Sequence, residues 1–174
     1  MLEDLDHARA RGARIYAQLA GYGSSMNGHN LTDPSPNGAD EARTMELALQ
    51  DASLPPEHID YIAAHGTSTP KNDVAETLAI KKAFGEHSRR LMVSSNKGQI
   101  GHTLSGAAAC NLIFAVKAIE SGRVPPTMHY ANADPDCDLD YVPNLSRQAR
   151  VRAALANSFA FGGQNAVLAV KAYG

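Results

Sequence analysis

The fold of this chain is decided by the stretch DYIAAHGTSTPKNDVAETLAIKKAF, residues 60–84. Residues 60–64 form a short apolar run, typical of a buried strand, that ends at His65. The Gly, Thr, Ser and Pro of residues 66–70 cannot continue a regular element and predict a loop. An amphipathic helix is predicted to follow. The stretch therefore indicates a strand that ends at a histidine and leads through a loop into a helix.

The same plan occurs a second time further along the chain. Residues 91–95 predict another short strand, residues 96–101 a polar loop, and residues 102–121 an alanine-rich helix. Open α/β sheets place their ligand sites at the mouths of such strand-loop-helix units. We therefore expect that His65 and His102 could face one cleft.

The remaining segments add elements around these two units. The predictions are a helix over residues 2–11, a strand over 14–21, a long loop over 24–38, a helix over 39–53, and strands over 150–158 and 165–173. The last two strands are joined across Phe161-Gly162-Gly163, which favours an antiparallel pair. Alternating strands and helices that end in a hairpin predict an α/β layered domain with a mixed β-sheet flanked by helices. No linker divides the chain, so residues 1–174 are expected to form one domain.

Composition excludes several classes of function. The formal net charge is −2, from 18 acidic and 16 basic residues spread along the chain, so no nucleic-acid or anionic membrane surface is predicted. No apolar run approaches the length of a membrane span, and the acidic N-terminus is unlike a signal peptide. The two cysteines have no disulfide or zinc pattern, and the histidine spacings predict no metal site. We expect a cytoplasmic protein.

The two loop histidines are the strongest candidates for chemistry. Two neutral imidazoles aimed at one oxygen would stabilise an enolate or a tetrahedral intermediate. Spacing alone also permits two loop histidines with only structural contacts. Lys97 lies five residues before His102, and a buried lysine there would need a carboxylate such as Glu76 or Asp73. The alternatives are a solvated lysine, and a capping box in which Glu76 pairs with Asp73 as the helix cap.

Two further segments could contact a ligand, and two cysteines are possible nucleophiles. Residues 66–69 offer amides and hydroxyls for a polar ligand arm, or only a turn. Residues 157–163 place two aromatics beside paired glycines, which suits either close approach to a ligand or a hairpin turn. Cys110 lies inside a helical run without an evident base, and carboxylates around Cys137 would raise the pKa of its thiol, so neither is predicted to be a nucleophile.

Three motifs in this order resemble those of the β-ketoacyl-acyl-carrier-protein synthases. They are His65-Gly66-Thr67-Ser68-Thr69-Pro70 with Asp73 and Glu76, then Ser94-Ser95-Asn96-Lys97 with Gly101-His102, then Asn157-Ser158-Phe159-Ala160-Phe161-Gly162-Gly163. The resemblance spans essentially the full chain but only the second half of such an enzyme. It implies a thiolase-like layered domain, the C-terminal half of the αβαβα fold. It also implies an acyltransferase activity, the decarboxylative Claisen condensation of malonyl-ACP with an acyl thioester in fatty-acid or polyketide biosynthesis.

The resemblance further implies site roles. His65 and His102 would assist malonyl decarboxylation and condensation, with Lys97 and Glu76 as a buried ion pair that supports His102. The implied substrate contacts are Thr67 and Thr69 to the pantetheine arm and Phe161, with Phe159, beside the acyl pocket. No metal or redox cofactor is implied, because the substrates are carried on the phosphopantetheine of an acyl carrier protein.

The resemblance also implies partners. The family nucleophile, a cysteine, lies in the N-terminal half, so this chain is expected to work with that half or a companion chain, in a homo- or hetero-oligomer. A lone half would expose a large apolar face. The loop Lys97-Gly98-Gln99-Ile100-Gly101-His102 departs from the Ser and Met usual in fatty-acid enzymes, which leaves a polyketide or specialised lipid pathway open. The alternatives are a non-catalytic subunit like a chain-length factor and a thiolase-like thioester-binding module.

Overall fold

The computed structural model describes residues 1–174, which form five α-helices and seven strands joined by loops and short 3-10 turns. The helices are α1 (Leu5–Ala10), α2 (Ala39–Asp51), α3 (Pro70–Phe84), α4 (Lys97–Ile100) and α5 (Ala107–Ser121). The strands are β1 (Gln18–Met26), β2 (Tyr61–Ala63), β3 (Met92–Ser94), β4 (Arg123–Val124), β5 (Arg147–Gln148), β6 (Ala153–Phe159) and β7 (Gln164–Lys171).

Five strands form one mixed sheet in the order β1-β7-β6-β2-β3, and β4 and β5 form a separate two-stranded ribbon. β7 runs antiparallel to both of its neighbours, which confirms the predicted terminal hairpin. β6, β2 and β3 are parallel to one another. Because parallel strands share a direction, the carboxyl ends of these three strands meet at one edge of the sheet.

Helices cover both faces of the sheet, as the predicted layered domain requires. Along β2, Ile62 packs with the core formed by α2 and α3, whereas Tyr61 and Ala63 face the core under α5. This alternation follows from the two-residue period of a strand, and an apolar strand buried on both faces results. All three side chains are fully buried.

Several boundaries differ from the sequence prediction. β1 continues to Met26, so the long loop begins at residue 27. The capping box with Asp73 as the cap of α3 is wrong, because the helix begins at Pro70 and Thr69 occupies the N-cap without a side-chain bond. A proline with φ already fixed and no N–H to satisfy suits the first helical position. Glu76 is thus free of a capping role.

The outer side of α5 is apolar and uncovered. Residues 104–121 form a helical stretch with a mean hydropathy of 1.2, long and apolar enough to pass for a membrane span by composition, and 22% of it is buried within the chain. The prediction that no apolar run approaches the length of a membrane span does not cover this stretch, because polar residues such as Asn111 and Lys117 interrupt it. Leu104 and Ile113 are 75% and 59% exposed on it. Core helices of soluble proteins meet the same criterion, and the exposed side chains agree with the expectation that an isolated half leaves an apolar face open.

Candidate functional site

The site lies at the sheet edge where β2, β3 and β6 end. His65 follows the end of β2 and is 7% exposed. The loop after β3 carries His102, whose ring meets that of His65 edge-on with centroids 5.7 Å apart. The end of β6 supplies Phe159, whose ring centroid is also 5.7 Å from His65. The structure therefore brings together the two histidines that the sequence analysis singled out.

Side chains hold the main chain at His65 from several directions. The Glu76 carboxylate accepts hydrogen bonds from the amides of His65 and Gly66 at 2.9 and 2.8 Å. The Lys97 Nζ donates to the carbonyl oxygen of His65. Ser95 Oγ donates to the carbonyl of Gly66 at 2.6 Å. Because the main-chain groups of this turn are bonded, the backbone that carries His65 is held in one place.

Glycine is required at position 66. Its φ is +43°, and a Cβ there would lie 2.6 Å from Cβ of Ser95. A side chain would therefore be strained and would push the two site loops apart.

The predicted ion pair between Lys97 and Glu76 that supports His102 is wrong as a direct contact. No salt bridge joins them, and both bind the main chain of His65 rather than His102. Burial raises the pKa of Glu76, against hydrogen bonds from Asn157 and from the amides of the turn that lower it. Burial likewise lowers the pKa of Lys97, and the nearby Glu76 opposes that shift. The two groups therefore influence each other across the turn that they share.

Both histidines favour the neutral form. Burial, with smaller contributions from Lys97 and His102, lowers the pKa of His65 to about 3. His102 is exposed, and the desolvation that its neighbours still cause, together with the charge of Lys97, also lowers the pKa of its ring. Nδ1 of His102 accepts a hydrogen bond from the amide of Leu104 at 3.0 Å, so the neutral ring carries its proton on Nε2. His102 thus has one N–H free to donate to an oxygen atom in the cleft.

The other predicted substrate contacts lie around the two rings. The hydroxyls of Thr67 and Thr69 are 2.9 Å apart in the loop between β2 and α3. Phe159 is buried against His65, whereas Phe161, in the 3-10 turn between β6 and β7, is 77% exposed. The two aromatics therefore differ: Phe159 packs against His65, whereas Phe161 is exposed to solvent.

Cys110 lies in a helix, and Cys137 lies among aspartates, as the sequence predicts. Cys110 is half-buried within α5, with Thr103 Oγ1 at 3.8 Å from its sulfur. Burial and neighbouring aspartates raise the pKa of the Cys137 thiol. The surroundings of Cys137 therefore disfavour its thiolate.

The sequence analysis gave no role to Ser95 or Asn157, although both lie in its motifs, and it did not single out Asn111. Asn157 Nδ2 donates to the Glu76 carboxylate at 3.0 Å. The side chain of Asn111 donates to the carbonyl oxygens of Ala64 and Asn157. Asn111 could have been noticed, because it is a polar residue on the stripe of α5 that buries Ala107, Ala115 and Ala118. A buried amide among alanines requires a partner.

Comparison with known proteins agrees with this geometry. The family model described as the C-terminal domain of beta-ketoacyl synthases matches residues 16–131. The 3-oxoacyl-[acyl-carrier-protein] synthase 2 of Synechocystis sp. is 49% identical over 173 residues, which are 99% of this chain and 42% of that protein. The chain therefore spans less than half the length of this relative.

Solved structures give the same result. A type II polyketide synthase acyl-carrier protein in complex with its ketosynthase, bound to the hexaketide, matches with a TM-score of 0.97 and 41% identity over 99% of this chain and 42% of the other. The ishigamide ketosynthase/chain length factor matches with a TM-score of 0.94 and 44% identity, again over 99% and 42%. These matches confirm the predicted fold class.

Proposed function

The chain belongs to the β-ketoacyl synthase family, whose C-terminal domain it forms, and from this we propose that it is the half of a condensing enzyme that activates the malonyl thioester. The observation that carries the proposal is the pair of contacting, neutral-biased histidines at the ends of the parallel strands. An imidazole held neutral at physiological pH can donate to a developing oxyanion without first losing or gaining a proton.

The reaction divides into two steps. In the first, the bond between the malonyl carboxylate and its α-carbon breaks, CO₂ leaves, and the electron pair moves onto the thioester oxygen as an enolate. Nε2–H of His102 and the ring of His65 would stabilise this oxygen. In the second step, the enolate carbon attacks an acyl group held as a thioester on a cysteine of the N-terminal half, and the cysteine thiolate leaves. Neither step requires a metal or a redox cofactor.

Substrate delivery is proposed to use the rim of the site. The neighbouring hydroxyls of Thr67 and Thr69 suit the amides of a phosphopantetheine arm. Phe161, at the exposed turn, would border the acyl chain together with Phe159. The carrier would be an acyl carrier protein, as in the ketosynthase complex that this chain resembles. We place the reaction in the cytoplasm, in fatty-acid or polyketide biosynthesis.

The cysteine-bearing half is proposed to dock on the outer side of α5, where Leu104 and Ile113 are exposed. A docking helix there would bury both side chains and would bring its own residues next to the loop that carries His102. The assembled enzyme would be a homo- or hetero-oligomer. A non-catalytic subunit like a chain-length factor is not favoured, because such a subunit has no need of two neutral histidines in contact.

The test is CO₂ release from malonyl-ACP by the chain assembled with an N-terminal ketosynthase half. His65→Ala and His102→Ala should each lower the rate on the order of 10²–10³-fold, the usual cost of an oxyanion donor. His58→Ala is the matched control, because His58 is exposed in a turn before β2. Retained decarboxylation in both site variants would overturn the proposed roles, and an inactive parent enzyme would overturn the function.

A further inference from the structure

Asn111 is a buried amide that binds two strands at once. It lies on α5 and is 3% exposed. Its Nδ2 donates to the carbonyl oxygen of Ala64 at 3.0 Å and to that of Asn157 at 2.9 Å. Both amide hydrogens are therefore used, and both acceptors are main-chain atoms.

The Ala64 carbonyl lies just past the end of β2, and the Asn157 carbonyl lies within β6 at the point where its pairing with β2 stops. The ladder between β2 and β6 stops at the pair of Ala63 and Ala156, so Ala64 and Asn157 are the next residues along. Past this pair β2 and β6 are no longer bonded to each other, so a buried carbonyl there requires another donor. The side chain of Asn111 supplies the missing donors from the adjacent helix layer.

The contact is adjacent to both histidines. Ala64 immediately precedes His65, and α5, which carries Asn111, follows the loop of His102. The side chain of Asn157 in turn donates to the Glu76 carboxylate that holds the His65 amide. One amide thus ties the end of β2 to the helix that follows the His102 loop.

We propose that Asn111 is a positioning residue that sets the spacing of the His65 and His102 rings. The inference rests on the proposed function for its kinetic consequence. An apolar side chain of similar size would leave two buried carbonyls without donors, and the end of β2 would relax away from α5. A hydroxyl could satisfy one carbonyl and leave the other. The effect would reach the chemistry only through the main chain, since both hydrogen bonds of the Asn111 side chain go to main-chain carbonyls and neither goes to a histidine ring.

The experiment compares Asn111→Leu and Asn111→Ser in the assembled enzyme. We expect kcat for decarboxylation to fall on the order of 10²-fold for N111L, as for a reacting group displaced by about 1 Å, with N111S in between. KM for malonyl-ACP should stay within about threefold, because the rim that binds the arm is unchanged. Thr44→Val is the matched control, since Thr44 is a fully buried polar residue of α2 that bonds to Asp40 and Ser25.

A second readout separates this inference from the proposed function. The ring ¹³C–¹H resonances of His65 and His102 should shift in N111L and N111S and stay in place in T44V, whether or not the enzyme releases CO₂. If N111L does not fold, N111S alone decides the question. Parental kcat and unshifted rings in N111S, or equal kcat losses in N111S and T44V, would overturn the positioning role. Absence of CO₂ release by the parent enzyme would count against the proposed function alone.

Discussion

Acidification provides a direct test of the His65 environment. An imidazole with an ordinary pKa of 6.5 would be neutral in about 3% of molecules at pH 5. With the pKa of His65 lowered to about 3, the ring stays neutral in about 99% of molecules at that pH. The main cause is burial, because the ring is 7% exposed and a charged imidazolium would lose its hydration there.

The assay is an NMR titration of the histidine rings between pH 8 and pH 5. The chain has seven histidines, and His65→Gln identifies one resonance by its disappearance. We expect that resonance to keep the shift of a neutral ring over the whole range. A sigmoidal change with a midpoint near 6.5 would refute the argument, because it would show that water reaches the ring.

A second variant separates the causes of the shift. Lys97→Met removes a positive charge and should raise the pKa of His65, yet leave it below 6.5, because burial contributes more than the charge. Lys71→Met is the control, since Lys71 is an exposed partner of Asp33. The lowered pKa of His65 also makes the free energy of unfolding depend on pH. Below pH 6.5 the His65 ring binds a proton in the unfolded chain, whereas in the folded chain it stays neutral down to about pH 3. This contribution falls with decreasing pH by up to about 1.4 kcal/mol per pH unit.

Three further predictions concern stability and activity. The Glu76 carboxylate accepts three hydrogen bonds, and Glu76→Gln leaves only one carbonyl oxygen to accept them. The substitution should lower the free energy of unfolding, measured in urea, by about 2–4 kcal/mol. An unchanged urea midpoint would contradict the role of Glu76 in holding the turn. Gly163→Ala would place a Cβ 2.1 Å from the Asn27 carbonyl oxygen at a φ of +75°, and should cost at least about 3 kcal/mol. Gly12→Ala, with a φ of +68° and open space, should cost only about 1 kcal/mol, and equal losses would show that strain alone matters. Cys110→Ser should leave condensation by the assembled enzyme nearly unchanged, and a folded but inactive variant would show that this thiol takes part.

The sequence was sufficient for the parts of the fold that depend on local pattern. The strand that ends at His65, the helices around residues 45, 77 and 114, and the terminal hairpin each have a clear periodicity or a turn of glycines, and all are present. The parallel order of β6, β2 and β3 depends instead on packing between distant segments, which periodicity does not encode.

The candidate site also has parts that the sequence predicts and parts that it does not. The two histidines were found because each follows a strand in a polar loop, a feature visible along the chain. The partners of Glu76 and Lys97 were not found, because carboxylate and lysine were expected to pair with each other, whereas both satisfy main-chain groups of one turn. Main-chain donors and acceptors are identical at every residue, so a sequence cannot show which of them are left without partners.

The position of β7 has a consequence for how the protein is made. This strand lies between β1 and β6, and β1 pairs with no other strand. Translation of the residues between Met26 and Gln164 takes roughly seven to thirty seconds at about 5–20 residues per second, and both edges of β1 remain unpaired during this time. Sheet closure is therefore a late event at the ribosome, and loss of the final strand would detach the first one as well.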